Sequence, residues 1–409
     1  MGYPSLLYPN ETPLYPKASV VLDYLHSYAD VFNLRKHIQL NTTVKATRWN
    51  GSKWQIETQS SETGKLEEVD ADLLIVANGH YHVPNFPSIP GLERWRTAGK
   101  VTHSLWYRAP FDAGEVVLVV GGGPSGFAIS SEMSSTCSTL IHSVPESQPT
   151  IRDNKVLVRG RTVQFLEDER TVVFEDGSME SGIDHVFLAT GYLTSCPFLS
   201  NDLLVPAIPQ KVPPLPTKLH NSSQHIFPLV RDIFPLQSDF PLNSIAFMGL
   251  PIGISTGPNF EAQAGAILKV FEDPTVLNII HEKIDIVSRY QSLREVVKSD
   301  PVVTGGSEES LNKRIAHAWH RYRGEERFKY RNGLYELAEN EKRISDREKR
   351  IDDASGLLKE SWQRIEASGE AGAWLKGVGS GGLDDWYDLM ERVIKYGEDD
   401  NVTFVDIKI

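Results

Sequence analysis

The sequence predicts an α/β fold in which one complete strand, loop, helix and strand unit is inserted into the rear part of a second, followed by a helical C-terminal extension. Three observations predict it. Residues 116–120 are a short all-apolar run that leads directly into three spaced glycines. A second apolar run, ending in Asn78 and Gly79, stands well ahead of the first. Apolar strands and helices return after residue 195, and beyond Lys283 the chain is charged and helix-forming.

The elements follow in order. Leu22, Leu25, Ala29 and Phe32 recur at helical spacing, and Asn33 is placed to end that helix in the left-handed conformation. Ile38, Leu40, Thr42 and Val44 then alternate as in a strand, and strand-like pieces follow at residues 54–58 and near Val69, joined by Asn50, Gly51 and Gly64. Residues 73–77 form a short apolar strand that ends at Asn78 and Gly79, where a glycine lets a ligand approach the carboxyl edge of a sheet. Residues 1–110 thus read as the back of a nucleotide-binding unit. Its opening strand, glycine loop and helix are not there, since the first 40 residues contain only Gly2.

The run at residues 116–120 is too short for a membrane span and right for a central parallel strand. Gly121, Gly123 and Gly126 then satisfy G-x-G-x-x-G. The first glycine permits the tight turn, the second lets a pyrophosphate approach the backbone, and the third lets the helix pack closely on the strand. A helix opening near Pro124 and Ser125 turns free N–H groups and its positive end toward a phosphate. Helical residues 127–133 and the apolar pair Leu140 and Ile141 complete the βαβ order, so residues 111–195 read as a dinucleotide-binding domain. The plainer alternative is a glycine-rich turn that binds nothing.

Downstream, residues 156–158, 163–166 and 171–174 are strand-like, with Asp176 and Gly177 as a turn, and residues 187–189 form a last strand before Thr190 and Gly191. Residues 196–280 hold a proline-rich crossing, a strand at 245–250 and a helix at 261–271. Residues 281–409 read as helical, with Trp319, Trp374 and Trp386 as anchors and GVGSGG at 377–382 as a flexible break. The basic stretch Arg321, Arg323, Arg327, Lys329 and Arg331 is interleaved with Glu325 and Glu326, which predicts a solvated helical face.

Composition excludes several classes. With 409 residues, 40% of them apolar and 23% charged, the chain can bury the cores of two or so domains. No apolar run approaches the roughly 18 residues of a membrane helix, and the N-terminus lacks the blocks of a signal peptide. A formal net charge of −12 argues against a nucleic-acid surface. Cys137 and Cys196 are too few and too far apart in sequence for a dithiol centre, and read as packing residues in a reducing compartment, which makes the expected location cytoplasmic. His80 and His82 have no second cluster at ligand spacing, so no metal site is expected.

The order LLIVANGHYHVPNFPSIPGL (residues 73–92), GKVTHSLWYR (99–108), VVLVVGGGPSG (116–126) and DHVFLATGY (184–192) resembles the flavin-containing monooxygenases. That family shows a phenylalanine-x-glycine-x3-histidine-x3-aromatic signature ahead of its NADPH-binding glycines. Gly99, His103 and Tyr107 match it, whereas Thr97 stands at the phenylalanine position. Asp184, Leu188, Ala189, Thr190, Gly191 and Tyr192 match the D-x3-L-A-T-G-Y pattern of flavin-dependent N-oxygenating enzymes. The resemblance covers residues 13–275.

It implies a flavoprotein architecture with two dinucleotide-binding domains, the NADP domain being inserted in an FAD domain that is incomplete here. Either the chain is a fragment of a longer product, or it is a shortened homologue that has lost firm FAD binding. The implied cofactors are FAD and NADP, and the implied co-substrates are O2 and a small molecule. In the family NADPH reduces FAD, the reduced flavin captures O2 as a hydroperoxide, and its electrophilic oxygen passes to a soft nitrogen or sulfur, as in an N,N-dimethylaniline monooxygenase. That chemistry belongs to the cofactor, so no catalytic side chain is implied.

Of the residues carried over, Gly121, Gly123, Ser125 and Gly126 fall to the NADP pyrophosphate. Ser143 falls to a phosphate; Pro145 replaces an arginine often seen there, and Glu146 competes as an acid for a ribose hydroxyl. Thr190 and Gly191 stand where the nicotinamide domain rejoins the flavin domain. Val44, Asn78 and Gly79 are expected to line the flavin through backbone groups, and Gln263 to lie near it, its plain alternative being a solvent-facing helical glutamine. His103 and Tyr107 have a plain alternative too, a capped turn and a packing aromatic. Two other functions stay open: a non-catalytic nucleotide-binding homologue, and a Baeyer-Villiger or N-hydroxylating monooxygenase. Substrate and oligomeric state leave no motif.

Overall fold

The chain's internal packing divides its described residues into two compact units, one built from residues up to Asn78 and from Cys196 onward, the other from Gly79–Ser195. The computed structural model describes residues 2–145, 147–152, 156–168, 170–237, 239–299 and 307–400, so Glu146 lies outside the described residues. The boundary expected at residue 110 moves forward to Asn78/Gly79 because Val101–His103 pairs within the sheet of the second unit.

The first unit opens with α1 (Ala18–Val31), closed by Asn33 at φ +52°. The apolar repeat Leu22, Leu25 and Phe32 does not face a core; all three are exposed, and Tyr24 is the buried residue. The residues before the helix decide this. The Tyr24 hydroxyl accepts from Tyr3 N at 2.7 Å and donates to Leu6 O at 2.6 Å, and its ring stacks on Tyr8 at 4.0 Å. Ile38 and Leu40, expected in a strand, precede it and are exposed, because a 3-10 turn at Arg35–His37 intervenes. An antiparallel meander follows: β1 (Thr42–Trp49), β2 (Trp54–Ser60) and β3 (Leu66–Ala71). The segment ends in β4 (Leu74–Val76).

The second unit contains α2 (Leu92–Thr97), β5 (Val101–His103), β6 (Val116–Val120), α3 (Pro124–Met133), β7 (Thr139–Ser143), β8 (Thr150–Arg152) and β9 (Val156–Arg159). A small meander of β10 (Thr162–Phe165), β11 (Val172–Phe174) and β12 (Met179–Glu180) follows, and β13 (His185–Leu188) closes the unit. The main sheet has the order β5-β13-β6-β7-β9-β8, parallel except for the β8–β9 pair. Period-2 geometry sends alternate side chains of β6 to opposite faces. Leu118 and Val120 join Trp95, Phe165 and Phe174 on one side, while Val117 and Val119 join Ile129, Met133 and Phe187 on the other. Each such fully buried side chain stabilises the fold by about 1.5–3 kcal/mol. Helix α3 stops at Met133 and Cys137 sits in the following turn, its thiol donating to Met133 O at 3.3 Å.

The chain then returns to the first unit. Three short strands, β14 (Leu204–Val205), β15 (Leu219–Asn221) and β16 (Ile226–Phe227), precede the hairpin of β17 (Leu229–Val230) and β18 (Phe234–Pro235). Then β19 (Ile245–Phe247) pairs in parallel with β4, and α4 (Thr256–Glu272) follows. The front and returning pieces share one core, because Trp54 is fully buried, donates from Nε1 to Ser244 O at 2.8 Å and meets Phe240 edge-on. The β4–β19 pair is a parallel sheet of two strands in which Ile75 remains 46% exposed.

The turn between β17 and β18 carries Arg231 at φ +51° and Asp232 at φ +55°, with Ile233 N donating to Val230 O. Two successive left-handed residues call for Asn-Gly chemistry in an isolated hairpin. Here buried partners hold the turn. Asp232 accepts from the Tyr322 hydroxyl at 2.7 Å and lies 3.3 Å from His320 Nδ1; Arg231 pairs with Glu282, and its carbonyl accepts from Tyr330. Interactions with His320 and with the Arg289 guanidinium hold the Asp232 carboxyl below its usual range despite complete burial.

The C-terminal part is helical: α5 (Ile279–Ser299), α6 (Glu308–Ala318), α7 (Glu325–Leu337), α8 (Asp346–Asp353), α9 (Ser355–Ala367), α10 (Ala371–Leu375) and α11 (Leu383–Asp399). Trp319 and Trp386 are buried, Trp374 is partly so, and Trp362, which sequence reasoning passed over, is fully buried. Two expectations are corrected. The basic stretch is a solvated face only in part: Arg323 and Lys329 are exposed, whereas Arg331 is buried against Glu348 and Arg327 pairs with Asp352 and Asp353. GVGSGG is no loose break either: Gly379 N and Gly381 N donate to Asp385, and Gly377 N donates to Glu11. Among the described residues no helix is long and apolar enough to cross a membrane.

Asp232→Ala strips buried partners from Tyr322 and His320 and leaves a left-handed turn unsupported. Urea unfolding is expected to show a loss of about 3–5 kcal/mol; a loss below about 1 kcal/mol contradicts the account of the hairpin.

Candidate functional site

The candidate site is the carboxyl end of the parallel sheet in the second unit. Gly121 leaves β6 at φ +126°, and a Cβ there would lie 2.2 Å from Ala189 O. A Cβ on Gly126 would lie 1.9 Å from Gly121 O. Both positions therefore admit only glycine, the first for its conformation and its neighbour, the second for helix-on-strand contact. Gly123 differs: a Cβ there meets no protein atom within 4 Å. The space in front of Gly123 is open, and no side chain caps α3, whose N1 is Pro124. The first-turn N–H groups of Ser125 and Gly126 have no acceptor within the helix by geometry. This arrangement fits a dinucleotide pyrophosphate.

His142, on β7, props the loop from beneath. Its Nε2 donates to Gly121 O at 2.9 Å, while Nδ1 is buried without a hydrogen-bond partner. Burial, aided by Arg152, pushes His142 down to about 4 against the opposing Gly121 bond. Sequence reasoning did not single it out; the available signal was its place on the strand next to β6, one residue short of the strand end.

A second cluster stands at the end of β13. The His103 ring is buried; Nδ1 accepts from Leu105 N at 3.1 Å, which leaves Nε2 to donate to Gly191 O at 3.1 Å. Burial lowers its basicity, so the ring is held neutral. His103 thus both caps a turn and ties that motif to the next. Asn85, also passed over, completes the tie. Its N donates to Gly191 O at 3.0 Å, its Nδ2 to Thr190 O at 3.0 Å, and its carbonyl accepts the Thr190 hydroxyl at 2.6 Å. Gly191 sits at φ +78°. Tyr107 packs edge-on against Phe187 and donates to Glu132 of α3 at 2.8 Å. Asp184 accepts from the N–H groups of Glu115 and Val116 and so secures the start of β6.

Ser143 departs from expectation. It ends β7 as predicted, but it is buried, its hydroxyl donates to Gly160 O at 2.9 Å, and it accepts from Thr162 N and Thr162 Oγ1. No hydrogen remains on that hydroxyl for a phosphate. Val44 is not at a strand end but inside β1, opposite Thr58 and beside a bulge. Asn78 follows β4, is exposed, and accepts from the Cys196 thiol at 3.7 Å; Gly79 is exposed at φ +72°. Gln263 is fully buried, not solvent-facing: Oε1 accepts from Gly249 N at 3.0 Å and Nε2 donates to the Tyr330 hydroxyl at 2.9 Å. Among the described residues the first unit builds no glycine-rich pyrophosphate cradle, so these residues alone do not fit FAD. No group of His, Cys, Asp or Glu that suits a metal occurs among the described residues.

These motifs recur in known proteins. A profile described as Flavin-binding monooxygenase-like matches residues 1–151 and 146–232, more than half of the chain. The chain belongs to that family. A flavin-containing monooxygenase of Arabidopsis thaliana, FMO GS-OX-like 9, is 30% identical over 67% of this chain and 58% of its own length. The thiol-specific monooxygenase of Saccharomyces cerevisiae is 28% identical over 66% of this chain and 61% of its own. The chain therefore spans about three-fifths of the length of these family members. S-allyl-L-cysteine S-oxygenase from Allium sativum shares the fold, with a TM-score of 0.68 at 22% identity, covering 98% of this chain and 82% of that one. FAD and NADPH are the cofactors that membership of the family implies.

Two predictions follow from the loop. Gly123→Ala should leave thermal stability within about 0.5 kcal/mol yet weaken dinucleotide binding at least tenfold or so, whereas Gly126→Ala should cost about 1–3 kcal/mol by overpacking. Equal effects of the two changes on stability contradict this assignment. Secondly, the folded state holds His142 neutral, so it binds fewer protons than the unfolded chain between pH about 6.5 and about 4. That stability is complete above about 6.5 and is lost as pH falls toward 4. The loss should be roughly 2–4 kcal/mol, and denaturation curves of His142→Gln should lack that part of the slope.

Proposed function

We propose that this chain serves a flavin-dependent monooxygenase that uses NADPH and O2 to oxygenate a soft centre of a small molecule, with sulfur favoured over nitrogen. One observation carries the reading. The family motifs converge on one sheet edge, where the Gly121 loop sits on Ala189 and the next turn is clamped by His103 and Asn85. The preference for sulfur rests on two relatives, named for a thiol and for an S-oxygenase.

In this reading the second unit holds the nicotinamide nucleotide. When bound, NADPH supplies the reducing equivalents. The Gly121 to Gly126 loop and the N–H groups of Ser125 and Gly126 bind its pyrophosphate. His142 keeps the loop carbonyl aimed into the protein, and His103 and Asn85 hold the Thr190 to Gly191 turn. No side chain serves as acid or base. Val44, Asn78, Gly79 and Gln263 are assigned to the flavin side, Gln263 through its hold on the Gly249 turn.

A second reading is a nucleotide-binding homologue without catalysis, for which the open loop at Gly123 is sufficient. Purified chain incubated with FAD distinguishes the two. Retained flavin with NADPH-dependent O2 uptake stimulated by a thiol supports the first reading. Colourless protein that still binds NADPH supports the second reading, and failure to bind any nicotinamide nucleotide contradicts both.

A further inference from the structure

We propose that the nucleotide site has no clamp for the 2′-phosphate among its described residues and takes NADH about as readily as NADPH. This rests on the reading that the Gly121 loop holds a nicotinamide dinucleotide. In a G-x-G-x-x-G unit the adenosine ribose lies beyond the end of the strand next to the loop, where an arginine accommodates a 2′-phosphate and an acid meets a 2′-hydroxyl. Here that strand is β7, hydrogen-bonded to β6 from Val116 to Val120.

Among the described residues, the polar groups at that strand end are already committed. The Ser143 hydroxyl is spent on Gly160 and Thr162. Val144 and Pro145 stand beside the loop, since a Cβ on Gly122 would lie 2.8 Å from Val144 Cγ1 and 3.8 Å from Pro145 Cδ. Pro145, beside the loop, offers neither charge nor N–H. The cations of the neighbouring strand are matched by acids. Arg159, opposite Ser143 in the sheet, donates from Nε and Nη2 to Glu180 Oε1 at 2.9 and 2.5 Å. Arg161 N donates to Glu175 Oε1 at 2.9 Å, and its guanidinium lies 3.7 Å from Glu175 Oε2. Arg152 is turned to α3, where it donates to Ser130 Oγ at 2.7 Å and covers the Phe127 ring. Arg159 and Arg161 are thus each matched by a glutamate, and Arg152 is engaged with α3.

A free arginine at such a site favours a phosphate on the order of ten- to a hundredfold through charge-assisted, bidentate bonds. Without one, little discrimination is left. Titrating the purified chain with NADH and with NADPH by nicotinamide fluorescence gives the ratio of dissociation constants without turnover. NADPH should be favoured by less than about tenfold; a preference of tenfold or more overturns the proposal. Pro145→Arg should shift the ratio toward NADPH by about tenfold, and a folded variant with an unchanged ratio overturns it as well. Arg161→Ala should leave the ratio within about threefold; a selective loss of NADPH beyond about tenfold makes Arg161 the clamp and overturns the proposal. Binding of neither nucleotide overturns the nucleotide-site reading itself, whereas tight binding of NADPH alone overturns only this inference.

Discussion

The second unit depends on one contact that only glycine permits. Gly126, in the first turn of α3, lies against the carbonyl of Gly121 so closely that a single methyl group would come within 1.9 Å of that oxygen. This closeness lets the helix start directly on the end of β6 and points its first N–H groups past the strand. The rest is built to keep the two glycines there. Ala189 fills the other side of Gly121, His142 bonds its carbonyl from below, and Gly121 N continues the ladder to Ser143 O. A loop that carries open space before Gly123 is thus held by a fully packed base.

The first unit is organised by a different constraint, the return of the chain after a long excursion. Trp54 and Val76 from the front share a core with Leu199, Phe240 and Phe247 from the rear. The hairpin after β16 goes against local preference at Arg231, since an arginine seldom adopts a positive φ whereas an aspartate does so more readily. Its cost is offset by buried hydrogen bonds from Tyr322 and Tyr330, which come from the C-terminal helical part. The helical extension is therefore part of the first unit's core rather than an appendage. Gln263 belongs to the same system, linking the Gly249 turn to Tyr330.

Residues with a backbone reason to be what they are were the readable ones. Gly121, Gly126 and Asn33 were legible because each needs a particular φ or an absent Cβ. Strand β6 was legible because it is apolar on both faces, as a strand central to a parallel sheet must be. Polar residues were the hard cases. Ser143 at a strand end reads the same whether it faces a ligand or Thr162, and Gln263 reads the same whether solvated or buried. Asn85 and His142 drew no attention because their partners, Gly191 and Gly121, lie 106 and 21 positions away.

By itself the sequence determined the glycine loop, the order of the strands around it, the helical C-terminal part and the family motifs, all of which rest on local spacing and backbone freedom. Tertiary structure alone decided which face of α1 is buried, that Arg331 is paired in the interior, that GVGSGG wraps Asp385, and that the Ser143 hydroxyl is engaged. The reason is physical. A periodic pattern states that a face is apolar, but what covers that face, and which polar group answers a buried donor or acceptor, is set by chain segments that meet only in the folded protein.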